Sequence, residues 1–314
     1  MSLERTASRP TLELRAELLA RVRSFFAARG VLEVETPALS AAGVSDPALE
    51  QIVATARALG ERHYLQTSPE HAMKRLLAAG SGDIYQMCRV FRDDELGRWH
   101  QPEFTLLEWY RVGWDDLRLM DETAELLAAL VGERARRVER LTYAEAFERA
   151  LGADPLGPPE PVEAALRAAG VDVPSGLDRD ALLDLAFAVA VAPRFDPGAL
   201  TLVADFPASQ AALAKLKPTE PPVAARFEAF CGGLELANGF AELTDAGEQR
   251  RRFEAERAAR RAAGRDVAPL DEEFLAALES LPECAGVAVG FDRVVALAAG
   301  VDEVAAAMAF AHRR

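Results

Sequence analysis

Phe91-Arg92-Asp93-Asp94-Glu95-Leu96-Gly97-Arg98-Trp99-His100-Gln101-Pro102-Glu103-Phe104-Thr105-Leu106-Leu107-Glu108-Trp109-Tyr110 is the densest polar stretch of the chain, and its reading decides the fold. Residues 84–91 and 104–110 each read as a strand, and the polar loop from Arg92 to Pro102 joins them. Arg92, Arg98 and His100 on that loop suit a polyanion, because the arginine fork matches phosphate oxygens. Glu108 and Tyr110, two residues apart on a strand, point to the same face. For a charge run alone, a solvated hairpin with surface ion pairs is the simpler reading. Phe104, Leu106, Leu107 and Trp109 count against it, since they make the second strand a buried one. A carboxylate on a buried strand needs a partner.

Two more constellations carry chemistry. Arg226-Phe227-Glu228 and the run from Gly232 to Asp245 place Glu228, Glu235 and Glu242 at intervals of seven. A helical heptad of exposed glutamates would give that spacing, but Gly232, Gly233 and Gly239 argue against a continuous helix. On strands and turns, such carboxylates suit Mg²⁺ held jointly with substrate phosphates. The third is Gly286-Val287-Ala288-Val289-Gly290-Phe291-Asp292-Arg293. Its small residues let a flat ligand approach the backbone, and Arg293 at the next helix start can reach a phosphate. Alone, such a strand is more often just tightly packed, and no βαβ context for a dinucleotide surrounds it.

The chain has 314 residues, half of them hydrophobic and 27% charged, the balance of a soluble globular protein of one large domain or two. A formal charge of −14 argues against a basic footprint for nucleic acid. Cys88, Cys231 and Cys284 form no CxxC or Cys/His cluster and read as reduced thiols of a cytosolic protein, without disulfides or structural zinc. Arg15, Glu17, Arg21 and Arg23 interrupt any signal-peptide core, and no run approaches the roughly 20 apolar residues of a spanning helix. An intracellular protein with no membrane partner is expected.

Around these stretches, Leu12, Ala16, Leu19, Val22 and Phe26 mark an amphipathic helix capped by Thr11 and ended at Gly30. A strand over 31–35 follows, then a helix with Ser68 as N-cap and Pro69 at its first position. Residues 115–131 are helical, and Thr142 with Glu145 makes a capping box. A Pro/Gly-rich stretch at 152–161 opens a helical insertion reaching about residue 197. Strands at 200–205, 223–231 and 234–237 precede a charged helix from the Thr244-Asp245 cap to about residue 263. Strands in short succession, interrupted by helices rather than alternating with them, favour an α+β fold.

Together the three constellations resemble the catalytic domain of class II aminoacyl-tRNA synthetases, which implies an antiparallel β-sheet flanked by helices. The first helix and strand through Pro37 look like motif 1, Phe91-Arg92 through Tyr110 like motif 2, and Gly290-Phe291-Asp292-Arg293 like motif 3. His100-x-Pro102-Glu103-Phe104-Thr105 and Glu235-Leu236-Ala237-Asn238-Gly239-Phe240-x-Glu242-Leu243 look like the lysyl-tRNA synthetase versions. The resemblance runs from about residue 10 to 312, so a single catalytic domain over 1–314 is expected, with its insertion at about 152–197. With motif 1 beginning near residue 10, no N-terminal anticodon-binding OB domain is expected. The chain then resembles the truncated synthetase paralogues that ligate lysine to elongation factor P. Ser68-Pro69-Glu70 and Leu107-Glu108-Trp109-Tyr110-Arg111 look like that family.

The resemblance implies ATP-dependent activation of (R)-β-lysine, or lysine, as an aminoacyl-adenylate, followed by transfer to a lysine ε-amino group of elongation factor P. It makes Arg92 and Arg293 the catalytic cations. Nucleotide contacts would also come from Asp93, Asp94, His100 and Gln101, and from Glu235, Leu236 and Gly290. The amino-acid pocket would use Ser68, Pro69 and Glu70, with Glu108, Tyr110, Glu242 and Ala288. Glu228 and Glu235 would hold Mg²⁺. A homodimer through motif 1 is implied, and tRNA is not an expected partner. The chain departs from the synthetase pattern at Asp94, in place of Glu, which touches base recognition, and at Gln101, in place of Asn. Ala288 stands where the synthetases have Gly, and the added methyl reshapes the pocket floor in favour of β-lysine; ordinary packing variation is the alternative. Two other readings stay open: a ligase with a different amine acceptor, and a catalytically silent regulatory paralogue.

Overall fold

The two strands expected around the polar loop form as Ile84–Phe91 and Glu103–Val112 in the computed structural model, which describes residues 5–135 and 137–312. The chain divides into two units, one of Met1–Gly113, Leu243–Cys284 and Ala288–Arg314, the other of Trp114–Glu242 with Ala285–Val287.

In the first unit, the two strands pair antiparallel in unbroken register, from Ile84 opposite Tyr110 to Phe91 opposite Glu103. Trp109 and Leu107 are fully buried, so the strand is an interior one and its polar residues are held in a dry environment. The 31–35 strand shrinks to Leu32–Glu33, which runs parallel to Ile84–Phe91. Helix Arg9–Ala27 lies against these strands, with Phe26 stacked on Tyr85 at 4.4 Å and edge-on to Trp109 at 5.3 Å. Its cap is Ser8 rather than Thr11: the extended Ser8 accepts from the Thr11 amide, and Pro10 is tolerated in the first turn. The next helix, Glu70–Ala78, starts one residue later than expected, with Pro69 at the cap and Ser68 only a weak acceptor from the Glu70 amide at 3.4 Å. A small antiparallel sheet of Leu39–Ser40, Gly60–Leu65 and Val53–Ala56 has no counterpart in the sequence reading.

One buried carboxylate ties three elements of this unit. Asp292, in the first turn of the last helix Phe291–Ala299, accepts from the Thr105 amide at 2.6 Å and from Arg15 Nη1 at 2.5 Å. Arg15 Nη2 donates to Thr105 Oγ1 at 2.7 Å. Breaking such a buried pair typically costs about 3–5 kcal/mol, so the strand and both helices are held together at this point.

In the second unit, Arg137–Thr142 runs parallel to Ala199–Pro207, which pairs antiparallel with Val223–Cys231, itself antiparallel to Leu234–Ala241. Strand pairing is therefore mixed, and the all-antiparallel expectation is corrected at 32–33 with 84–85 and at 137–142 with 199–204. The fold is α+β. Thr142 and Glu145 form the expected capping box. The insertion supplies helices Glu160–Ala168 and Arg179–Ala186, whose Val162, Leu166, Leu182 and Leu183 join Phe147, Phe206 and Phe230 in one apolar core. No helix among the described residues is long and apolar enough to cross a membrane.

Gly239 allows a close approach here: a Cβ at that position would lie 2.7 Å from both the Phe227 ring and the Val287 side chain. Gly239→Ala should therefore lower unfolding free energy by about 1–3 kcal/mol through overpacking, measured by urea denaturation.

Candidate active site

The strand face predicted to carry Glu108 and Tyr110 does so. In the first unit, the Tyr110 hydroxyl donates to Glu108 Oε1 at 2.7 Å. Glu108 is 3% exposed, and its Oε2 is buried with no hydrogen-bond partner among the described residues. Gln86 lies opposite it on the neighbouring strand, also buried. Glu70, in the first turn of its helix, is bonded at 2.6 Å by Lys74 one turn later, and Lys74 is 1% exposed. Burial pushes the Glu108 carboxyl up to about 8, and the Glu70 charge adds to the rise. The Tyr110 hydrogen bond, Lys74 and Arg92 pull the other way. Two carboxylates thus share one resident ammonium, and one carboxylate oxygen accepts no hydrogen bond from the described residues. A second ammonium fits that arrangement: it would supply the missing donor and relieve the repulsion.

Arg92 begins the polar loop at the end of the strand. Its Nε is buried without a partner, its Nη1 is 3.6 Å from Glu95 Oε1, and its guanidinium lies 5.2 Å from the Phe104 ring centre. An unanswered arginine donor suits an anion. The loop turns at Asp94, which adopts a left-handed backbone (φ +62°) that Asp tolerates, and Asp93 Oδ1 accepts from the Asp94 amide at 3.0 Å. Gly97 and His100 bridge across the loop tip. Arg293 meets this tip, with Nη2 2.9 Å from His100 Nε2 and Nε donating to the Trp99 carbonyl at 3.2 Å. Gln101, expected near a nucleotide, has its amide engaged with the backbone of His312: Nε2 donates to the carbonyl at 3.3 Å, and Oε1 accepts from the amide at 2.8 Å. Ser68 and Pro69 precede the Glu70 helix, Gly290 caps the Arg293 helix, and Ala288 is partly buried on Cys284–Gly290.

The other predicted carboxylates belong to the second unit. Glu228 and Asn238 are cross-strand partners, and Glu235 follows the turn. Glu228 is gripped by Arg226, which also donates to the Gln210 carbonyl at 2.8 Å and to Asn238 Oδ1 at 3.3 Å. Burial pushes the Glu228 carboxyl up to about 7; Arg226 opposes this, and Glu235 and Asp184 add to it. Glu242 and Leu236 are buried. Among the described residues, no three His, Cys, Asp or Glu side chains gather into a metal site.

Lys74 was missed in the sequence, although its i,i+4 spacing from Glu70 is a legible ion-pair signal. Gln86 gave no signal, because a lone amide on an apolar strand becomes informative only once the register sets it beside Glu108.

The arginine-bearing loop between antiparallel strands has Arg293 at its tip, which brings the stretch read as motif 2 together with the one read as motif 3. The chain belongs to the class II tRNA synthetase family, matching tRNA synthetases class II (D, K and N) over residues 1–314. Curated relatives include the elongation factor P–(R)-β-lysine ligase of Vibrio cholerae serotype O1, 49% identical over 97% of this chain and 96% of its own. The proteins of that name from Vibrio vulnificus (49% identical; 96% of each chain) and Klebsiella pneumoniae (47%; 96% of this chain and 94% of its own) are similar too. By family and relatives, the chain is an enzyme of the ligase class.

With its folded value near 8 and its ordinary value at 4.5, the Glu108 carboxyl favours the folded state in its protonated form. Its contribution to stability therefore falls as pH rises from about 4.5 to about 8. Glu108→Gln removes this loss. Melting curves at about pH 5 and about pH 8.5 should show the variant gaining on the wild type at the higher pH. A constant difference would contradict the buried, uncompensated carboxyl.

Proposed function

We propose that this enzyme activates (R)-β-lysine, or lysine, with ATP to form an aminoacyl-adenylate, and transfers the aminoacyl group to a lysine ε-amino group of elongation factor P. The observation that carries the reading is the buried Glu108 oxygen without a partner, beside Glu70, Lys74 and Tyr110. It offers a place for an ammonium in a protein whose relatives bear the name of a β-lysine ligase.

In the first step, a carboxylate oxygen of the amino acid bonds to the α-phosphorus of ATP as the bond to pyrophosphate breaks. Two anions must meet, so the protein's task is positive charge and positioning rather than a nucleophile of its own. Arg92, with its unanswered Nε, would bridge the carboxylate and the α-phosphate. Arg293, held at the loop tip by His100 and Trp99, would bind the outer phosphates or stack on the base, with Asp93 and Asp94 shaping the nucleotide contact. Glu235, Leu236 and Gly290 would complete the nucleotide contacts. Glu70 would take the backbone-end ammonium of the amino acid, and Glu108 with Tyr110 the side-chain ammonium. Ser68, Pro69 and Ala288 would bound the pocket. A carboxylate pocket rejects uncharged isosteres because its buried oxygens would then stay unpaired. In the second step, the neutral acceptor amine attacks the adenylate carbonyl, AMP leaves, and the amide forms with loss of the amine proton.

Mg²⁺ bound to ATP usually takes one or two carboxylates, the phosphates and water. By the family resemblance Glu235 would be such a ligand. Glu228 fits less well, because Arg226 already answers its charge; it would contribute only after giving up that pair. When bound, Mg²⁺ neutralises phosphate charge. We read residues 1–314 as one catalytic module working as a homodimer in the cytoplasm, without tRNA.

Incubation with ATP, Mg²⁺, (R)-β-lysine and elongation factor P should add one lysine residue to the factor, seen by intact mass. Arg92→Ala should slow amino-acid-dependent ATP–pyrophosphate exchange by about 10²–10³-fold. Exchange without modification of the factor would move the acceptor elsewhere, and no exchange with either lysine isomer would favour a silent paralogue.

A further inference from the structure

The loop that joins Leu39–Ser40 to Val53–Ala56 in the small sheet of the first unit is bound to a single buried arginine. Arg260 lies on helix Ala246–Ala262 and is 4% exposed. Its Nη1 donates to the carbonyls of Asp46 at 2.8 Å and Leu49 at 2.7 Å, its Nε to that of Asp266 at 2.7 Å, and its Nη2 to Glu50 Oε2 at 3.0 Å. Arg265 adds bonds to the Pro47 carbonyl at 2.8 Å and to Glu50 Oε1 at 3.0 Å. From the same helix, Glu256 accepts from the buried Ser45 hydroxyl at 2.5 Å. The segment from Ser45 to Glu50 is thereby held by side chains almost residue by residue.

Its far end touches the chemistry. The Glu50 carbonyl accepts from the Asp93 amide at 2.9 Å, forming an isolated antiparallel bridge. Asp93 follows Arg92 and in turn receives the Asp94 amide, where the backbone turns left-handed. A fork that fixes two carbonyls and a carboxylate of one short loop restricts where the Glu50 carbonyl can lie. An error of about 1 Å in such a contact is enough to misplace a group in a reacting site.

We propose that Arg260 is a positioning residue for nucleotide binding: through the Ser45–Glu50 segment and the Glu50–Asp93 bridge, it sets the place of the Arg92–Asp94 turn. This inference rests on the reading of that turn as the ATP contact. Lysine keeps the charge of arginine but has three donors on one nitrogen and cannot span the four acceptors that the guanidinium reaches, so charge and geometry can be separated. Arg265 is more exposed and acts on the same loop, so its loss should have a smaller effect in the same direction.

Arg260→Lys and Arg265→Ala are to be compared with wild type and with Arg261→Ala, an exposed neighbour on the same helix. Pyrophosphate exchange should show KM for ATP raised about tenfold or more in Arg260→Lys and less in Arg265→Ala, with KM for the amino acid within about twofold. Hydrogen–deuterium exchange should be faster at the Asp93 amide in both variants and unchanged in Arg261→Ala. An unchanged Asp93 amide in a folded Arg260→Lys protein would overturn the positioning role. So would a kcat that falls with the folded fraction while KM for ATP stays constant. A wild type that shows no ATP-dependent exchange would overturn the ATP reading instead, and with it the nucleotide half of the proposal, while the amide exchange would still report on the loop.

Discussion

A carboxylate that cannot reach water sets the terms for the first unit. Glu108 sits on an interior strand, one oxygen held by Tyr110 and the other facing no donor, with a second carboxylate nearby on Glu70. Burying such a group without compensation is costly, and proteins retain that cost mainly where a ligand later removes it. The surrounding architecture keeps the arrangement from relaxing. Unbroken strand register fixes Glu108 opposite Gln86, and the Asp292–Arg15–Thr105 junction locks the same strand to the first and last helices.

Lys74 shows how the pocket tolerates its own charge. One ammonium bonded to Glu70 leaves two acidic groups partly neutralised. Arg92 has the complementary defect, a buried donor with nothing to accept from it. An orphaned acceptor and an orphaned donor, near enough that the Arg92 charge acts on Glu108, suit an amino acid presented to a phosphate.

Much of this was legible in the sequence because it depends on local pattern. The 84–91 strand forms with the bounds read from the sequence, and glycine content turned Glu228, Glu235 and Glu242 from a heptad into strands and turns. Caps were less secure: Ser8 and Pro69, not Thr11 and Ser68, begin their helices, since several neighbouring residues could serve and only backbone angles choose among them. Long-range pairing was not legible. Nothing local announces that Gln101 will hold the backbone of His312, or that strands at 137–142 and 199–207 will run parallel. The Arg260 network is of the same kind, with partners more than 200 residues apart that meet only in the folded chain.

Burial holds the Glu108 carboxyl up at about 8, so an arriving ammonium should ionise it. Calorimetry of lysine or (R)-β-lysine binding near pH 7, in buffers of different ionisation enthalpy, counts the protons exchanged. Release of close to one proton per amino acid bound, lost in Glu108→Gln, is the predicted result. Binding with no proton release in the wild type would contradict it.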